Sequence, residues 1–318
     1  MSSIGVVIVT WNSAEDIGAC LEALALIHSG PIVVVDNGST DATREIVERF
    51  PRVKLLHFPE NLGFSGGVNR GVASLEAESV LILNPDCQVQ TGLGPLASAA
   101  AGGASTGKLL DEHGQLQRGF SIRRLPTAWT LAFEVLGVNR LWPGNPINRE
   151  YRCLNFDFSH AQGVEQPPGA FLMVRKSIFQ NLGGMDEAFW PVWFEDVDYC
   201  LRLRQAGYKI RYCPEVHATH RGGASVSKIY WSFKEIAWYG SLLRYATKHF
   251  RWLSRCLVGL AVAAASVPRA VTGIISRRQS ARALGVSASV IRMAWESLVY
   301  GRVEIRRFRR QSEGQEHF

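Results

Sequence analysis

Three carboxylates lie within four positions of one another in the segment PVWFEDVDYCLRLRQAGY, residues 191–208. They are Glu195, Asp196 and Asp198, and the aromatic pair Trp193 and Phe194 directly precedes them. Carboxylates are among the side chains that enzymes use to move protons. The same pattern is also typical of a helix start, because acidic side chains in a first turn interact favourably with the helix dipole. For Glu195 and Asp196 both interpretations stay open on spacing alone.

The helix interpretation accounts best for the third acid. Asp198 and Arg202 are four residues apart, so they are expected to pair on one face of a helix. Gly207 is a residue typical of the end of such a helix. We therefore assign Asp198 to helix structure.

Two further acidic sites follow strand-like runs. Asp36 ends PIVVVD and could accept a hydrogen bond from a ribose hydroxyl or a base N–H, or it could belong to an Asp-rich turn. In NPDC, residues 84–87, Pro85 stops the preceding run and leaves Asn84 and Asp86 beyond its end. Asp86 could bind Mg²⁺ or Mn²⁺, which prefer carboxylate and phosphate oxygen, or it could lie in a surface turn.

A histidine and a glycine-rich segment are also candidates. His220, in ATHRGGAS, is either a metal ligand or a loop histidine, and His217 lies close by. The segment ENLGFSGGVNRG, residues 60–71, could let backbone approach a nucleotide near a helix start, or could serve tight helix packing. Its candidate residues are Asn61, Gly63, Gly66, Gly67 and Asn69.

Four β-branched runs must position these residues: GVVIVT (5–10), PIVVVD (31–36), VKLLHF (53–58) and SVLILN (79–84). The stretches AEDIGACLEALALI and TDATREIVERF, which separate the first three runs, are compatible with helices. Apolar strands that alternate with helices predict an α/β fold with a mostly parallel central sheet and helices on both faces. Ligands of such sheets bind beyond the carboxyl ends of the strands, where TWNSAED, DNGSTD and NPD lie.

The loop after the first strand argues against other nucleotide-binding classes. It reads TWNSAED, whereas a dinucleotide-binding domain needs G-x-G-x-x-G there, and the chain has no GxxxxGK[ST] loop. A nucleotidyltransferase on a similar sheet would be expected to carry a glycine- and Lys/Arg-rich loop at this place. The six cysteines form no CxxC pair and no zinc spacing, and the first residues do not read as a signal peptide. We therefore expect a reducing, cytoplasmic location.

The net charge of +7 belongs to the C-terminal part of the chain. From residue 244 onwards there are 14 Lys/Arg against 4 Asp/Glu, whereas residues 1–243 hold 21 against 24. The apolar run CLVGLAVAAASV, residues 256–267 before Pro268, is shorter than the ~20 residues of a spanning helix. This composition suits a segment that lies in an anionic membrane surface, or a helical subdomain with a solvated basic face; nucleic acid fits less well. The flanking basic residues are Arg251, Arg255, Arg269, Arg277, Arg278 and those of RVEIRRFRR, 302–310.

The motifs are weak individually, but their combination and order resemble those of a known family. In chain order they are TWN, DNGSTD, NLGFSGGVNRG, LNPD, GAFLMVRK, GGMDE, WFEDVDYCLR and HRGGAS. This string closely resembles the family 2 glycosyltransferases of GT-A fold, and most of all their bacterial rhamnosyltransferase-like branch. The resemblance implies a GT-A domain over residues 1–250 and leaves 251–318 as a basic, apolar helical extension.

The resemblance also implies roles for particular positions. Asn84-Pro85-Asp86 takes the place of the family's D-x-D metal motif, so Asp86 is the one strong acidic ligand of Mg²⁺ or Mn²⁺, and His220 completes the site. Asp196 is implied as the base that takes a proton from the acceptor hydroxyl, with Glu195 contacting the acceptor or tuning its neighbour. The residues implied to bind the nucleotide-sugar are Thr10, Asn12 and Asp36 around the nucleoside, and Asn61, Gly63, Gly67, Asn69 and Asn84.

The implied activity is transfer of a sugar from a nucleotide-diphospho-sugar to a hydroxyl by a single, inverting displacement. The Q-x-x-R-W motif of processive members is absent after His220, which predicts addition of one sugar per encounter. The expected donor is dTDP-L-rhamnose, ahead of UDP-galactofuranose or UDP-hexoses. The expected acceptor is a polyprenyl-diphosphate-linked or polysaccharide glycan of the cell envelope, met at the inner face of the membrane. A non-catalytic GT-A module that binds a sugar nucleotide or a glycan is the alternative.

Overall fold

The structure, a computed structural model, describes residues 3–223, 227–275 and 280–304, with side chains described outside 269–282. Over these residues one mixed sheet of nine strands forms the centre of the molecule. Its strands are β1 (Ile4–Thr10), β2 (Ile32–Asn37), β3 (Val53–Phe58), β4 (Ser79–Leu83), β5 (Cys87–Val89), β6 (Gly103–Leu110), β7 (Gln162–Val164), β8 (Phe171–Arg175) and β9 (Lys209–His220).

The helices that cover the sheet alternate with the strands in the N-terminal half and dominate the C-terminal half. They are α1 (Ile17–Ile27), α2 (Thr43–Val47), α3 (Gly63–Ala73), α4 (Gly94–Ala99), α5 (Ala128–Val135), α6 (Val138–Leu141), α7 (Pro146–Tyr151), α8 (Lys176–Asn181), α9 (Glu195–Gln205), α10 (Trp231–His249), α11 (Trp252–Ile275) and α12 (Ser280–Tyr300). A short 3₁₀ helix, Ala100–Gly102, follows α4.

The sheet has the strand order β3-β2-β1-β4-β8-β6-β9-β5, with β7 paired to β9 off this path. The first four strands are parallel, which confirms the prediction made from the four β-branched runs. β8 runs antiparallel to both β4 and β6, and β6 runs parallel to β9. The sheet therefore has a purely parallel N-terminal half and a mixed C-terminal half.

Strand β1 shows why helices cover both faces. Its alternate side chains point to opposite sides of the sheet. Val6 and Ile8 pack with α1 in one buried cluster, while Val7 and Val9 pack with α3 in another. Because both faces are apolar, the strand is stable only between two helical layers.

Helix α3 approaches the sheet closely because two of its glycines face β1. A Cβ atom on Gly67 would lie 2.7 Å from Val9 Cγ1, and one on Gly71 would lie 2.5 Å from Val7 Cγ1. Neither distance is compatible with a side chain larger than hydrogen unless the backbone shifts. Of the two alternatives for the glycine-rich segment, the tight-packing alternative therefore describes Gly67.

Helices α10, α11 and α12 form a third buried cluster together with α5. Leu242, Val258, Val290 and Met293 are part of this cluster, as is Leu131 of α5. The cluster joins the chain on both sides of residue 250, and the domain boundary there stays a prediction. Among the expected basic residues of the tail, the side chains of Arg269, Arg277 and Arg278 and residues 305–310 lie outside the described part of the chain.

Helix α11 is longer than its sequence indicated. The apolar run was expected to end at Pro268, but α11 continues through this proline to Ile275. Proline removes one backbone hydrogen bond and crowds the preceding turn, and the packing of α11 against α12 outweighs that local cost. None of the helices in the described ranges combines the length and the hydrophobicity that crossing a bilayer requires.

Candidate active site

Two strands bring Asp86 and His220 together. β5 pairs antiparallel with β9, and the register sets Cys87 opposite His220, so that the residue before Cys87 lies beside the histidine. Asp86 Oδ1 is 3.6 Å from His220 Nε2, and both side chains are almost fully buried. The predicted pair of metal ligands thus comes from positions 134 residues apart in the chain.

Gln117 fixes the imidazole of His220 in one orientation. Its Nε2 donates to the carbonyl oxygen of His220 at 2.6 Å, so its Oε1 is the atom that faces Nδ1 at 3.0 Å. Nδ1 must then carry the hydrogen, which leaves the lone pair of Nε2 pointing at Asp86. Burial lowers the pKa of His220, which keeps the ring neutral.

The donor set suits a divalent cation. Asp86 Oδ2 accepts a hydrogen bond from the backbone N–H of Gly222 at 3.1 Å, and Oδ1 stays turned towards His220. Cys87 lies in the same group, but burial raises its pKa well above the usual range and its thiol donates to Ala170 O. The thiol therefore stays protonated, which leaves a carboxylate oxygen and an imidazole nitrogen as the candidate metal ligands.

Arg221 adds positive charge next to this pair. Its guanidinium lies 3.4 Å from Asp16 Oδ1 and 3.2 Å from Glu15 Oε2. The pKa of Asp16 is raised, chiefly by burial, with a smaller contribution from the charge of Asp86. Sequence reasoning did not single out Gln117, Asp16 or Arg221; for Arg221 the signal was its place in the HRGG motif.

The acid pair at the start of α9 follows a strained backbone. Trp193 and Phe194 have φ angles of 85° and 69°, in the left-handed region that residues with a side chain seldom occupy. Such conformations cost about 1–3 kcal/mol each and are often found where a site must be held in a fixed geometry. Here they direct the chain so that Glu195 and Asp196 form the first turn of the helix.

Glu195 and Asp196 differ in their surroundings. Glu195 is 4% exposed, its Oε2 has no hydrogen-bond partner among the described residues, and burial together with the charge of Asp196 raises its pKa well above the usual range. Asp196 Oδ2 accepts from Gly169 N at 3.0 Å and Gln166 Nε2 at 3.4 Å. Burial raises the pKa of Asp196, while the N–H of Gly169 and the charge of Arg123 oppose that rise. The negative charge of the pair therefore rests on Asp196.

This charge distribution predicts the acid limb of the pH–rate profile. A base works only when deprotonated, so the rate should fall as pH falls through the pKa of Asp196. Because that pKa is raised from 3.8, the midpoint is expected above 3.8. The check is kcat/KM against pH, and Glu195→Gln should shift the midpoint little, since Glu195 is already uncharged. A rate that stays constant down to pH 3.8 would contradict the assignment.

Asp198 ties α9 to α10, as the helix interpretation of this acid implied. Its Oδ2 accepts from Arg202 Nε at 2.8 Å, which confirms the predicted pairing of these two residues. Its Oδ1 accepts from His249 Nε2 at 2.7 Å and lies 2.7 Å from Lys248 Nζ. These partners hold the pKa of Asp198 at about 2, against the opposing effect of burial.

Replacing Asp198 by asparagine is expected to destabilise the fold by about 3 kcal/mol at neutral pH, because Arg202 and His249 lose the buried anion that they pair with. A lowered folded-state pKa gives stability that is present above the unfolded value and is lost as pH falls towards about 2. Thermal melts of wild type and variant should therefore converge between pH 4 and 2. Glu76→Gln, at an exposed acid, is the matched control and should leave the melting temperature unchanged at every pH.

The predicted nucleoside pocket centres on Asp36, which is fully buried at the end of β2. Its carboxylate accepts from Thr10 Oγ1 at 3.2 Å, from the N–H of Ser39 at 3.2 Å and from Ser39 Oγ, and it lies 3.0 Å from His57 Nδ1. Asn12 has a φ of 52° and accepts at Oδ1 from Thr40 N at 2.8 Å. Asp36 thus organises the two loops of the pocket, and its contact with a base or ribose stays a prediction.

The remaining predicted residues join α3 to the loops before α9. Asn61 Oδ1 accepts from Gly63 N at 2.8 Å, and the carbonyl of Asn61 accepts from Trp190 Nε1 at 3.0 Å. The amide of Asn69 bonds the backbone of Met185 in both directions, at 2.8 and 2.9 Å. These contacts hold the glycine-rich segment against the GGMDE loop. Binding of the nucleotide-sugar by these residues stays a prediction. The same is true of Asn84, which is half-buried in the turn before Asp86.

Comparison with known proteins decides the family. Residues 5–107 match the family model described as "Glycosyl transferase family 2". The chain is 31% identical over 242 residues to an N-acetylglucosaminyl-diphospho-decaprenol L-rhamnosyltransferase of Mycobacterium tuberculosis, covering 70% of this chain and 77% of that protein. The chain belongs to glycosyltransferase family 2. This family assignment supports a nucleotide-sugar glycosyltransferase over the alternative of a non-catalytic module.

Other relatives and solved structures are more distant. A Haloferax volcanii protein, "Low-salt glycan biosynthesis hexosyltransferase Agl10", is 26% identical over 69% of this chain and 67% of its own length. GalNAc-T7, solved with UDP, GalNAc and Mn²⁺, has a TM-score of 0.54 at 14% identity over 77% of this chain and 48% of its own. A Pyrobaculum calidifontis mannosyltransferase with GDP-Man and Mn²⁺ has a TM-score of 0.51 at 16% identity, covering 94% and 87%. The family 2 enzyme therefore has the expected GT-A fold.

Proposed function

We propose that this enzyme transfers one sugar from a nucleotide-diphospho-sugar to a hydroxyl of a lipid-linked glycan, with inversion at the anomeric carbon. L-rhamnose from dTDP-rhamnose is the first choice, since the mycobacterial relative is named an L-rhamnosyltransferase that acts on N-acetylglucosaminyl-diphospho-decaprenol. The observation that carries the proposal is the buried Asp86–His220 pair at the sheet edge, with the lone pair of His220 free.

Asp86 and His220 would hold the divalent cation. A carboxylate favours Mg²⁺ and Mn²⁺ alike, whereas an imidazole ligand favours Mn²⁺ over the harder Mg²⁺. A bound cation supplies positive charge that stabilises the nucleoside diphosphate as a leaving group. Arg221, the residue after His220, is paired with Glu15 and Asp16 close to this site.

Asp196 would take the proton of the attacking hydroxyl. The N–H of Gly169 and the amide of Gln166 orient its carboxylate before the acceptor binds, so little reorganisation is needed. Glu195, uncharged beside it, has an unpaired Oε2 that can accept a hydrogen bond from a second acceptor hydroxyl or donate one to it. The acceptor hydroxyl attacks the anomeric carbon directly and displaces the nucleoside diphosphate, so no covalent enzyme intermediate forms.

An anionic membrane surface is the proposed place of reaction. Leu253, Leu260 and Val267 recur at seven-residue steps along α11 and are 73%, 60% and 56% exposed. α12 carries a second exposed apolar row, the exposed Arg251 directly precedes α11, and the exposed Arg292 lies on α12. Exposed apolar rows flanked by arginine suit the interface of a bilayer with anionic lipids. The residues of the second row are Leu284, Ile291, Trp295 and Val299.

Vesicle flotation tests the membrane assignment. The wild type should float with phosphatidylglycerol-containing vesicles and much less with pure phosphatidylcholine. Leu253→Asp/Leu260→Asp should abolish flotation, whereas Leu26→Asp, at a leucine 87% exposed on α1, should not. Equal flotation of the double variant and the Leu26→Asp control would contradict membrane binding by these rows. A wild-type dimer in solution that the double variant dissociates would instead assign the rows to a dimer interface.

A thermal-shift screen tests the donor class. The panel is dTDP, UDP, GDP and CDP with their sugar conjugates, each with and without Mn²⁺. A ligand that binds the native state raises the melting temperature according to its concentration relative to Kd. A metal-dependent rise in melting temperature with one nucleotide and its sugar conjugates supports the proposal. A folded protein whose melting temperature changes with none of these ligands would refute it.

A further inference from the structure

A cavity of about 490 Å³ lies outside the residues assigned to the donor and the acid pair. It is formed by Arg124, by α7, by the loop before α7 and by the segment after α7, none of which had a role predicted from the sequence. Its lining combines two arginines, one glutamate and neutral groups. The lining residues are Arg124, Gly144, Pro146, Arg149, Glu150, Cys153, Asn155 and Phe156.

The two arginines leave hydrogen-bond donors available to a ligand. Arg124 forms ion pairs with Glu150 at 3.6 Å and with Glu165 at 3.7 Å, both too long for a hydrogen bond. Across residues 3–223, 227–275 and 280–304, neither the Arg124 nor the Arg149 guanidinium donates a hydrogen bond to the protein. A pair of guanidinium groups with free donors matches the oxygens of a phosphate or diphosphate.

The cavity shares a backbone segment with the base. Arg123 exchanges two backbone hydrogen bonds with Gln166, at 3.0 and 3.1 Å, and the side chain of Gln166 donates to Asp196. The next residue, Arg124, bonds Tyr151 of α7 through its N–H at 2.9 Å and lines the cavity. The cavity is therefore positioned by the same short segment that supports the carboxylate of Asp196.

Two exposed apolar side chains lie close to the lining residue Gly144 along the chain. Leu141 is 87% exposed and Trp142 is 59% exposed, and both precede Gly144 of the lining by no more than three residues. An apolar chain attached to a diphosphate would find the arginines and these side chains near each other.

We propose that this cavity binds the diphosphate of a prenyl-diphosphate-linked acceptor through Arg124 and Arg149, with the prenyl chain leaving over Trp142. The inference rests on the proposed function, because it takes the acceptor class from there. In the acceptor named for the mycobacterial relative, the diphosphate lies between the sugar and the lipid. Holding the diphosphate here would present the sugar hydroxyl to Asp196 and select lipid-linked acceptors over free glycans.

The first test measures binding, so that it does not depend on transfer activity. Farnesyl diphosphate is titrated calorimetrically into the full chain, with Mn²⁺ and a saturating nucleoside diphosphate present to fill the donor site. Arg124→Gln/Arg149→Gln should weaken binding about tenfold or more, since two charge-assisted contacts are lost. Arg140→Gln, at an exposed arginine outside the lining, is the matched control and should bind like wild type. No binding to the wild type, or equal binding to the double variant, would overturn the proposal.

The second test distinguishes the diphosphate of the acceptor from the phosphate headgroups of membrane lipids. With acceptors in neutral detergent, the double variant should raise KM about tenfold or more for a prenyl-diphosphate-linked sugar and leave KM unchanged for its alkyl glycoside. Its KM for the donor and its melting temperature should stay those of wild type. An equal rise for both acceptors would refute a diphosphate subsite. Loss of flotation on phosphatidylglycerol vesicles with KM unchanged would assign the arginines to bulk lipid. A wild type that transfers to neither acceptor would refute the proposed function, while the calorimetry still decides the cavity.

Discussion

Replacing Asp196 by asparagine is expected to reduce kcat about 10³-fold or more, because general base catalysis contributes about 10²–10⁴ and the amide cannot accept the proton. The Kd of the donor should stay within about twofold of wild type, since the base acts on the acceptor. Asparagine is nearly isosteric and keeps one oxygen for the N–H of Gly169, so the fold should be retained. Single-turnover transfer and a donor titration on the same protein measure both quantities.

The matched control for this prediction is Glu195→Gln. Because burial and the charge of Asp196 hold Glu195 in its protonated form, exchanging it for a neutral amide changes its charge little at neutral pH. We expect a loss of at most about tenfold, as for one hydrogen bond to the acceptor. A severe loss for Glu195→Gln together with near-normal turnover of Asp196→Asn would exchange the roles of the two acids.

The second large effect is expected at the metal-binding pair. Asp86→Ala or His220→Ala removes one of the two proposed ligands, and several kcal/mol of charge stabilisation depend on the cation. We expect kcat to fall about 10²-fold or more and the Mn²⁺-dependent thermal shift with nucleotide to disappear. His217→Ala is the matched control, because His217 lies on the same strand outside the Asp86 group and should keep both properties.

Gln117→Ala refines that test. Gln117 has no proposed contact with a substrate, but it sets the orientation and tautomer of His220. Loss of such a supporting hydrogen bond typically weakens metal affinity about 10–100-fold. The Mn²⁺ concentration for half-maximal activity should therefore rise, with the maximal rate at saturating Mn²⁺ close to wild type. Unchanged Mn²⁺ dependence in both Gln117→Ala and His220→Ala would contradict a metal role for this histidine.

Much of the N-terminal half could be predicted from local pattern. The four β-branched runs fall on β1 to β4 to within about a residue, because buried parallel strands need continuous apolar side chains. The candidate chemistry was also readable, since the polar residues that end such strands collect at one edge of the sheet. Asp36 and Asp86 were found in this way.

The supporting residues could not be found, because long-range pairing places them. Gln117 reaches His220 only after β5 has paired with β9, and Gln166 reaches Asp196 across 30 residues. Both come from stretches without helical or strand periodicity. The left-handed Trp193 and Phe194 have no local signature either, since neither is a residue type that favours a positive φ.

At Pro268 the local sequence rule gave the wrong helix end. Proline usually ends or kinks a helix, which made the apolar run look twelve residues long. Tertiary packing of α11 on α12 carries the helix through it. The length of the apolar run before Pro268 is therefore not a sufficient basis for the proposed membrane contact. That proposal rests on the exposed apolar rows of α11 and α12.

Inverting transfer of a single sugar is tested most directly by analysis of the reaction product. The protein is incubated with Mn²⁺, dTDP-L-rhamnose and a short-chain prenyl-diphospho-N-acetylglucosamine, and the product is analysed by mass spectrometry and NMR. We expect one added sugar whose anomeric configuration is inverted relative to the donor. A product of retained configuration, or a ladder of added sugars, would contradict it.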